Sequence, residues 1–175
     1  MANIIGLVGF KQVGKSTAAK YLEDKYGFAR HNFKDALVQE IKDNFPDLIE
    51  ELEIHYNLST PQLFIQKPPL MRALLQNYGT EVRRKDNQNY WADKWMQEAN
   101  IRVNLVADDV RFLNEAKSVN FYGGIIIRLT RPDLLTGGEH RSETEQLQIV
   151  SDYTIDCNYG DHEALYRALD DILKK

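Results

Sequence analysis

Two spacings of apolar residues alternate along the chain. Short unbroken runs read as buried strands, and longer stretches with apolar residues every three or four positions read as helices. Asn3 to Val8 is an apolar run ending at a glycine, and Lys15 to Tyr26 sets Ala18, Ala19 and Leu22 on one side of a helix. Phe28 to Phe33 predicts a second strand. Helical spacing follows over 35–44 and 47–57, split by Pro46, whose ring suits a helix start and not an interior. Beyond Pro68-Pro69 it resumes with Leu70, Leu74, Leu75 and Tyr78, and again from Tyr90 through Trp91, Trp95 and Ala99. Arg102 to Ala107 and Gly124 to Thr130 predict strands with a helix over 112–120 between them. Residues 131–146 are polar and hold Pro132, Gly137 and Gly138, which reads as a loop. A strand over 153–157 and a helix over 161–173 complete the order. Such alternation predicts an α/β architecture: a parallel sheet of about five strands with helices on both faces, and ligands beyond the carboxyl ends of the strands.

The first strand and first helix are joined by Gly9-Phe10-Lys11-Gln12-Val13-Gly14-Lys15-Ser16, which fits G-x-x-x-x-G-K-[ST]. Gly9 and Gly14 allow a tight bend that turns successive N–H groups toward an anion at the positive end of the helix. Lys15 can reach β- and γ-phosphates, and the Ser16 hydroxyl can bind Mg²⁺. A second carboxylate partner is expected at the end of a neighbouring strand, where Asp108 and Asp109 stand; either can bind Mg²⁺ through water or accept a proton. An N-cap is the plainer role for such an aspartate. Arg111, two residues on, offers a fork for a second substrate's phosphate, against the alternative of an ion pair with Glu115.

Composition narrows the class. At 175 residues and 43% hydrophobic content the chain suits one compact domain. The net charge of −4 argues against a nucleic-acid surface. One cysteine, Cys157, leaves no internal disulfide and no metal-binding Cys pair, and no apolar run approaches a membrane span. A cytoplasmic location is the expectation, with Cys157 as a small residue near a strand end. The base-reading N-K-x-D string of GTPases is absent. A kinase for a small acceptor needs cations for the acceptor and a lid against water. Residues 72–91 combine Arg72, Arg83 and Arg84 with Gln76, Tyr90 and Trp91, while 131–143 carry Arg131, His140 and Arg141. Trp91 and Trp95, at helical spacing, suit a core as well as a base platform, and His140 and Arg141 also suit a solvated loop.

The segments GFKQVGKST, LLQNYGTEVRR followed by NYW, NLVADDVRFLNEA, IIIRLTRP, EHRSE and SDYTIDCNYG, in this order over most of the chain, resemble the phage-type deoxynucleoside monophosphate kinases. The resemblance implies a three-layer P-loop kinase fold over residues 1–175, with an acceptor-binding helical region at about 35–100 and a lid at about 131–146. It implies ATP with Mg²⁺ as donor, a dNMP as acceptor and, for a phage enzyme, the host cytoplasm. Carried over by position, Gly9, Val13, Gly14, Lys15, Ser16 and Thr17 would hold the ATP phosphates, and Asn158 and Gly160 would lie beside the adenine. Asp109 and Arg111 would face acceptor and metal, with Ser16 and Asp108 the other candidate metal ligands. Asp35, Arg72, Gln76, Gly79, Thr80, Glu81 and Trp91 would line the acceptor site, and Arg131 and Arg141 would be lid arginines. Val38 stands where the family pattern has a lysine, with Lys34 and Lys42 nearby. Alternatives are a kinase for another phosphorylated acceptor, such as dephospho-coenzyme A, and a nucleotide-dependent switch; a homodimer stays open.

Overall fold

The computed structural model describes residues 3–132 and 144–174. They form two compact units, Met1–Phe33 with Trp95–Lys175, and Lys34–Lys94.

The first unit is built on a five-stranded sheet, every pairing parallel. Its strands are β1 (Ile4–Val8), β2 (Ala29–Arg30), β3 (Leu105–Val110), β4 (Ile125–Thr130) and β5 (Tyr153–Asp156), in the order β2-β3-β1-β4-β5. β1 is central: Ile4 pairs with Leu105 on one side and Ile5 with Ile125 on the other. All five of its residues are buried, as a strand covered on both faces requires. Ile5, Leu7, Ala18, Leu22, Val106, Ile127 and Leu169 lie fully or nearly fully out of water in one cluster. Each large aliphatic side chain there contributes about 1.5–3 kcal/mol. The helices α1 (Lys15–Tyr26) and, late in the chain, His162–Leu173 are both part of this unit. Asp170 of the late helix accepts hydrogen bonds from Tyr21 Oη at 2.7 Å, Tyr26 Oη at 2.8 Å and Lys25 Nζ at 2.7 Å, fastening the two helices together.

Two strands depart from the sequence reading. β2 is two residues long, because Phe33 already begins a helix. β3 starts three residues later than expected and runs through Asp108 and Asp109. Ile101, Arg102 and Val103 are exposed turn residues, and the sheet instead takes in the two carboxylates because each finds a partner. Asp108 is 4% exposed and faces Arg30 Nη1 at 3.3 Å. Asp109 Oδ1 accepts the backbone N–H of Phe33 at 3.0 Å. Neither is the N-cap of the following helix, Leu113–Phe121, which Phe112 precedes.

The second unit is helical. α2 (Phe33–Asn44) enters it, followed by α3 (Pro46–Tyr56), α4 (Thr60–Gln66) and α5 (Pro69–Gln76), with α6 (Tyr90–Glu98) leaving it. Pro46 and Pro69 sit in the first turns of α3 and α5, where no backbone N–H is needed. α4 has no counterpart in the sequence reading; a Ser59–Gln62 capping box starts it. Between α5 and α6, Asn77–Arg83 winds as a π-helix. Leu52, Leu63, Met71, Tyr78 and Trp91 form the core of this unit. The first unit also holds α7 (Leu113–Phe121), and its late helix His162–Leu173 is α8.

Candidate active site

β1 delivers the chain into the loop at Gly9. A Cβ on Gly9 would stand 2.4 Å from the Leu129 carbonyl oxygen, and the backbone there has φ +149°. Only glycine fits between the two central strands at this point. The loop ends at Gly14, left-handed at φ 102°, which takes the N-cap position of α1 without a side chain to fill it. The first turn of α1 holds no acidic residue, so its N–H groups and dipole are left to an anion. Lys15 lies folded over the loop, donating from Nζ to the carbonyls of Gly9 at 2.5 Å and Phe10 at 2.8 Å. Ser16 is exposed in the first turn and Thr17 half-buried.

Beside this loop a pocket is lined by Gln12, Val13, Gly14, Thr17 and Arg131 on one side and by Cys157, Asn158, Tyr159, Gly160, His162 and Leu165 on the other. Asn158 and Gly160, assigned from the sequence to the base end of a nucleotide, thus meet the residues assigned to its phosphates. Arg131 Nη1 donates to the Gln12 carbonyl at 2.9 Å, and its guanidinium lies 5.0 Å from the centre of the exposed Tyr159 ring. Gln12, with φ 69°, Tyr159, His162 and Leu165 escaped the sequence reading; the position after a strand end was the available signal for Tyr159. Cys157 is 7% exposed, and burial, then the Asp156 charge, raises its thiol pKa above the ordinary value, against the opposing Arg131 charge. Arg141 and His140 lie outside the described residues.

Arg111 sits at the corner between β3 and α7. The buried carboxylate of Glu115 accepts the backbone N–H of Arg111 at 2.8 Å and of Phe112 at 3.2 Å, so Glu115 serves the turn that carries Arg111. Glu145 adds a third carboxylate contact there, accepting Leu113 N–H at 3.1 Å. Among the described residues no group of three His, Cys, Asp or Glu side chains can hold a metal. Mg²⁺ carried by a nucleotide keeps phosphate oxygens and waters as most of its ligands and takes one or two from protein. Ser16 offers a hydroxyl exposed in the first turn of α1. Asp109 is half-buried and accepts the Phe33 N–H, while the buried Asp108 is turned to Arg30.

In the helical unit the expected acceptor residues separate into surface and interior. Arg72 and Gln76 are exposed on α5 one turn apart, and Glu81 is exposed. Asp35 is exposed on α2, and Thr80 is half-buried. Trp91, by contrast, is 3% exposed, and its Nε1–H is spent on the Gly79 carbonyl at 2.9 Å. Gly79 is buried with it. Trp91 is thus a core residue that shapes the segment above it. Trp95 is likewise core, 1% exposed, stacked on Phe33 at 4.8 Å. Arg84 is buried and donates to the Gln88 carbonyl at 3.1 Å, which removes it from the surface cations. At the Val38 departure, Lys42 lies over the Phe64 ring at 5.2 Å.

No protein-family model matches the chain. A protein of Acanthamoeba polyphaga mimivirus named as a deoxynucleotide monophosphate kinase is 32% identical over 173 residues, covering 87% of this chain and 86% of that protein. Among solved structures, the shikimate kinase of Acinetobacter baumannii in complex with shikimate shares 15% identity at a TM-score of 0.47, covering 99% of this chain and 93% of that one. The shikimate kinase of Bacteroides thetaiotaomicron shares 13% at 0.45, covering 99% of both chains.

Proposed function

This chain belongs to the family of the mimivirus deoxynucleotide monophosphate kinase and is a P-loop kinase, and we propose that it transfers the γ-phosphoryl group of ATP to a deoxynucleoside monophosphate. The observation that carries the donor half is a pocket lined by both the loop ending at Gly14 and Asn158 and Gly160. One nucleotide could lay its phosphates on the first and its base against the second. The acceptor half rests on the family and on the order of motifs along the sequence.

In this reading the backbone N–H groups of Gly9 to Thr17 cradle the β- and γ-phosphates. Lys15 leaves the carbonyls of Gly9 and Phe10 to pair with them. Mg²⁺ bound with ATP would offset the charge on the phosphate oxygens, with Ser16 and Asp109 as its protein ligands. Arg111, on a turn held by Glu115, takes the acceptor phosphate and keeps the attacking oxygen in line. Asp35, Arg72, Gln76, Thr80 and Glu81 meet the rest of the acceptor, while Gly79 and Trp91 support them from within. Arg131 and Arg141 spread the charge of the transferring group. Positioning and charge neutralisation supply the rate, and no covalent enzyme intermediate is needed.

The test is ADP release from Mg·ATP with dAMP, dGMP, dCMP, dTMP, their ribose counterparts and dephospho-coenzyme A in turn. Release that depends on one or more deoxynucleotides is expected. Slow hydrolysis indifferent to every acceptor would overturn the assignment in favour of a switch, and release with dephospho-coenzyme A alone would change the acceptor.

A further inference from the structure

The helical unit contains a charged cluster in which Tyr78, Arg83 and Tyr90, from the segments LLQNYGTEVRR and NYW, meet a glutamate outside them. Glu40, on α2, has a side chain 12% exposed and gathers four donors. Lys94 Nζ lies at 2.6 Å, Arg83 Nε at 3.0 Å and Tyr78 Oη at 3.2 Å, and Tyr90 Oη makes a short contact. Burial works against the charged carboxylate. The hydrogen bonds from Lys94 and Tyr90 outweigh it and hold Glu40 below its ordinary pKa. One carboxylate thus answers two cations, and the cluster keeps a positive excess at its surface.

Arg83 is the member built to face outward. Its guanidinium lies 5.1 Å from the Tyr78 ring centre and 5.2 Å from the Tyr90 ring centre. Its Nε–H pairs with Glu40, and Tyr78 also lies within hydrogen-bonding reach of the side chain. The side chain keeps 37% of its surface in water. A surface arginine ordinarily loses rotamer freedom when it grips a ligand. Here two rings and a carboxylate have already fixed the side chain, and an arginine fork pre-set in this way suits the planar geometry of a phosphate. The neighbouring Arg84, buried and committed to Gln88, cannot serve.

We propose that Arg83 is a further cation for the phosphate of the acceptor monophosphate, in addition to the Arg111 assigned above, and that Glu40 is the positioning residue that holds Arg83 in place. This rests on the acceptor reading above and assigns a ligand within it.

The experiment measures KM for the best deoxynucleotide, KM for ATP and kcat in the wild type, Arg83→Lys, Glu40→Gln and the double variant, with binding of that deoxynucleotide alone by calorimetry. Arg83→Lys keeps the charge and the ring contacts but loses the fork; acceptor KM and Kd should rise about tenfold, the loss of one charge-assisted hydrogen bond, with ATP KM unchanged. Glu40→Gln should shift the same two quantities in the same direction by less. The double variant should be no worse than Arg83→Lys, since both changes act through one group. Unchanged acceptor binding in Arg83→Lys overturns the proposal. So does a parallel rise in both KM values with a lowered melting temperature in Glu40→Gln, the mark of a purely structural cluster. If the wild type phosphorylates no deoxynucleotide, the acceptor reading itself falls and takes this proposal with it; a wild type that does, beside an indifferent Arg83→Lys, refutes the proposal alone.

Discussion

Gly9 and Lys15 carry separable burdens. Gly9 is a packing residue at the junction of two strands: a methyl group there meets the Leu129 carbonyl at 2.4 Å with nothing soft to yield. Gly9→Ala should destabilise the fold by about 3 kcal/mol, seen as a lower urea midpoint with unchanged slope. A midpoint within error of the wild type would show that β1 and β4 can part at no cost. Lys15 contributes two hydrogen bonds to half-buried loop carbonyls, so Lys15→Ala should cost only about 1–2 kcal/mol of stability. It should lower kcat by at least about a hundredfold, and near-normal turnover would remove the phosphate loop from the mechanism. These residues were legible in the sequence because their demands are local: a positive φ, a missing Cβ, a cation one residue past a glycine. Trp91 was legible only halfway. Its spacing marked a buried face, but its work on the Gly79 carbonyl depends on a π-turn that no periodicity encodes. Glu40 was not legible at all, because an isolated glutamate on an amphipathic helix looks the same whether it faces water or four donors.

Helices and strands show the same division between local and distant causes. α1, α3, α5 and α8 fall where spacing and proline put them. β3 does not, since its register depends on Arg30, far away in sequence, coming to meet Asp108. Its true frame brings the two aspartates into the sheet with only one of them half-exposed. The clasp between α1 and α8 allows a pH test. Hydrogen bonds from Lys25, then Tyr21 and Tyr26, depress the Asp170 carboxyl from 3.8 to about 2. A group whose folded pKa lies below its unfolded value contributes stability above the unfolded value and loses it as pH falls through the folded one. Wild type and Asp170→Asn should therefore differ in urea midpoint at pH 6 and converge between about pH 4 and pH 2. A gap that persists unchanged at pH 2 would mean the carboxylate's charge is not what joins the helices.

For the whole molecule, the sheet divides stability unevenly. β1, β3 and β4 lie inside it and bury Ile5, Leu7, Val106 and Ile127 to 0% exposure; β2 is a two-residue edge. Amide exchange should be slowest in the three inner strands and fast at Ala29 and Arg30. Equal protection across all five strands would contradict a stability gradient from centre to edge. No helix among the described residues is long and apolar enough to cross a membrane. The order β2-β3-β1-β4-β5 also sets a schedule. The strand that carries the phosphate loop is made before either strand that flanks it, so on the ribosome its hydrophobic edges wait for Leu105 and then Ile125 to emerge. Until then the nascent chain holds the whole nucleotide motif in its sequence and cannot hold the nucleotide. The grip on ATP is therefore a late event of synthesis, and truncated products ending before β4 should be prone to proteolysis and blind to ATP.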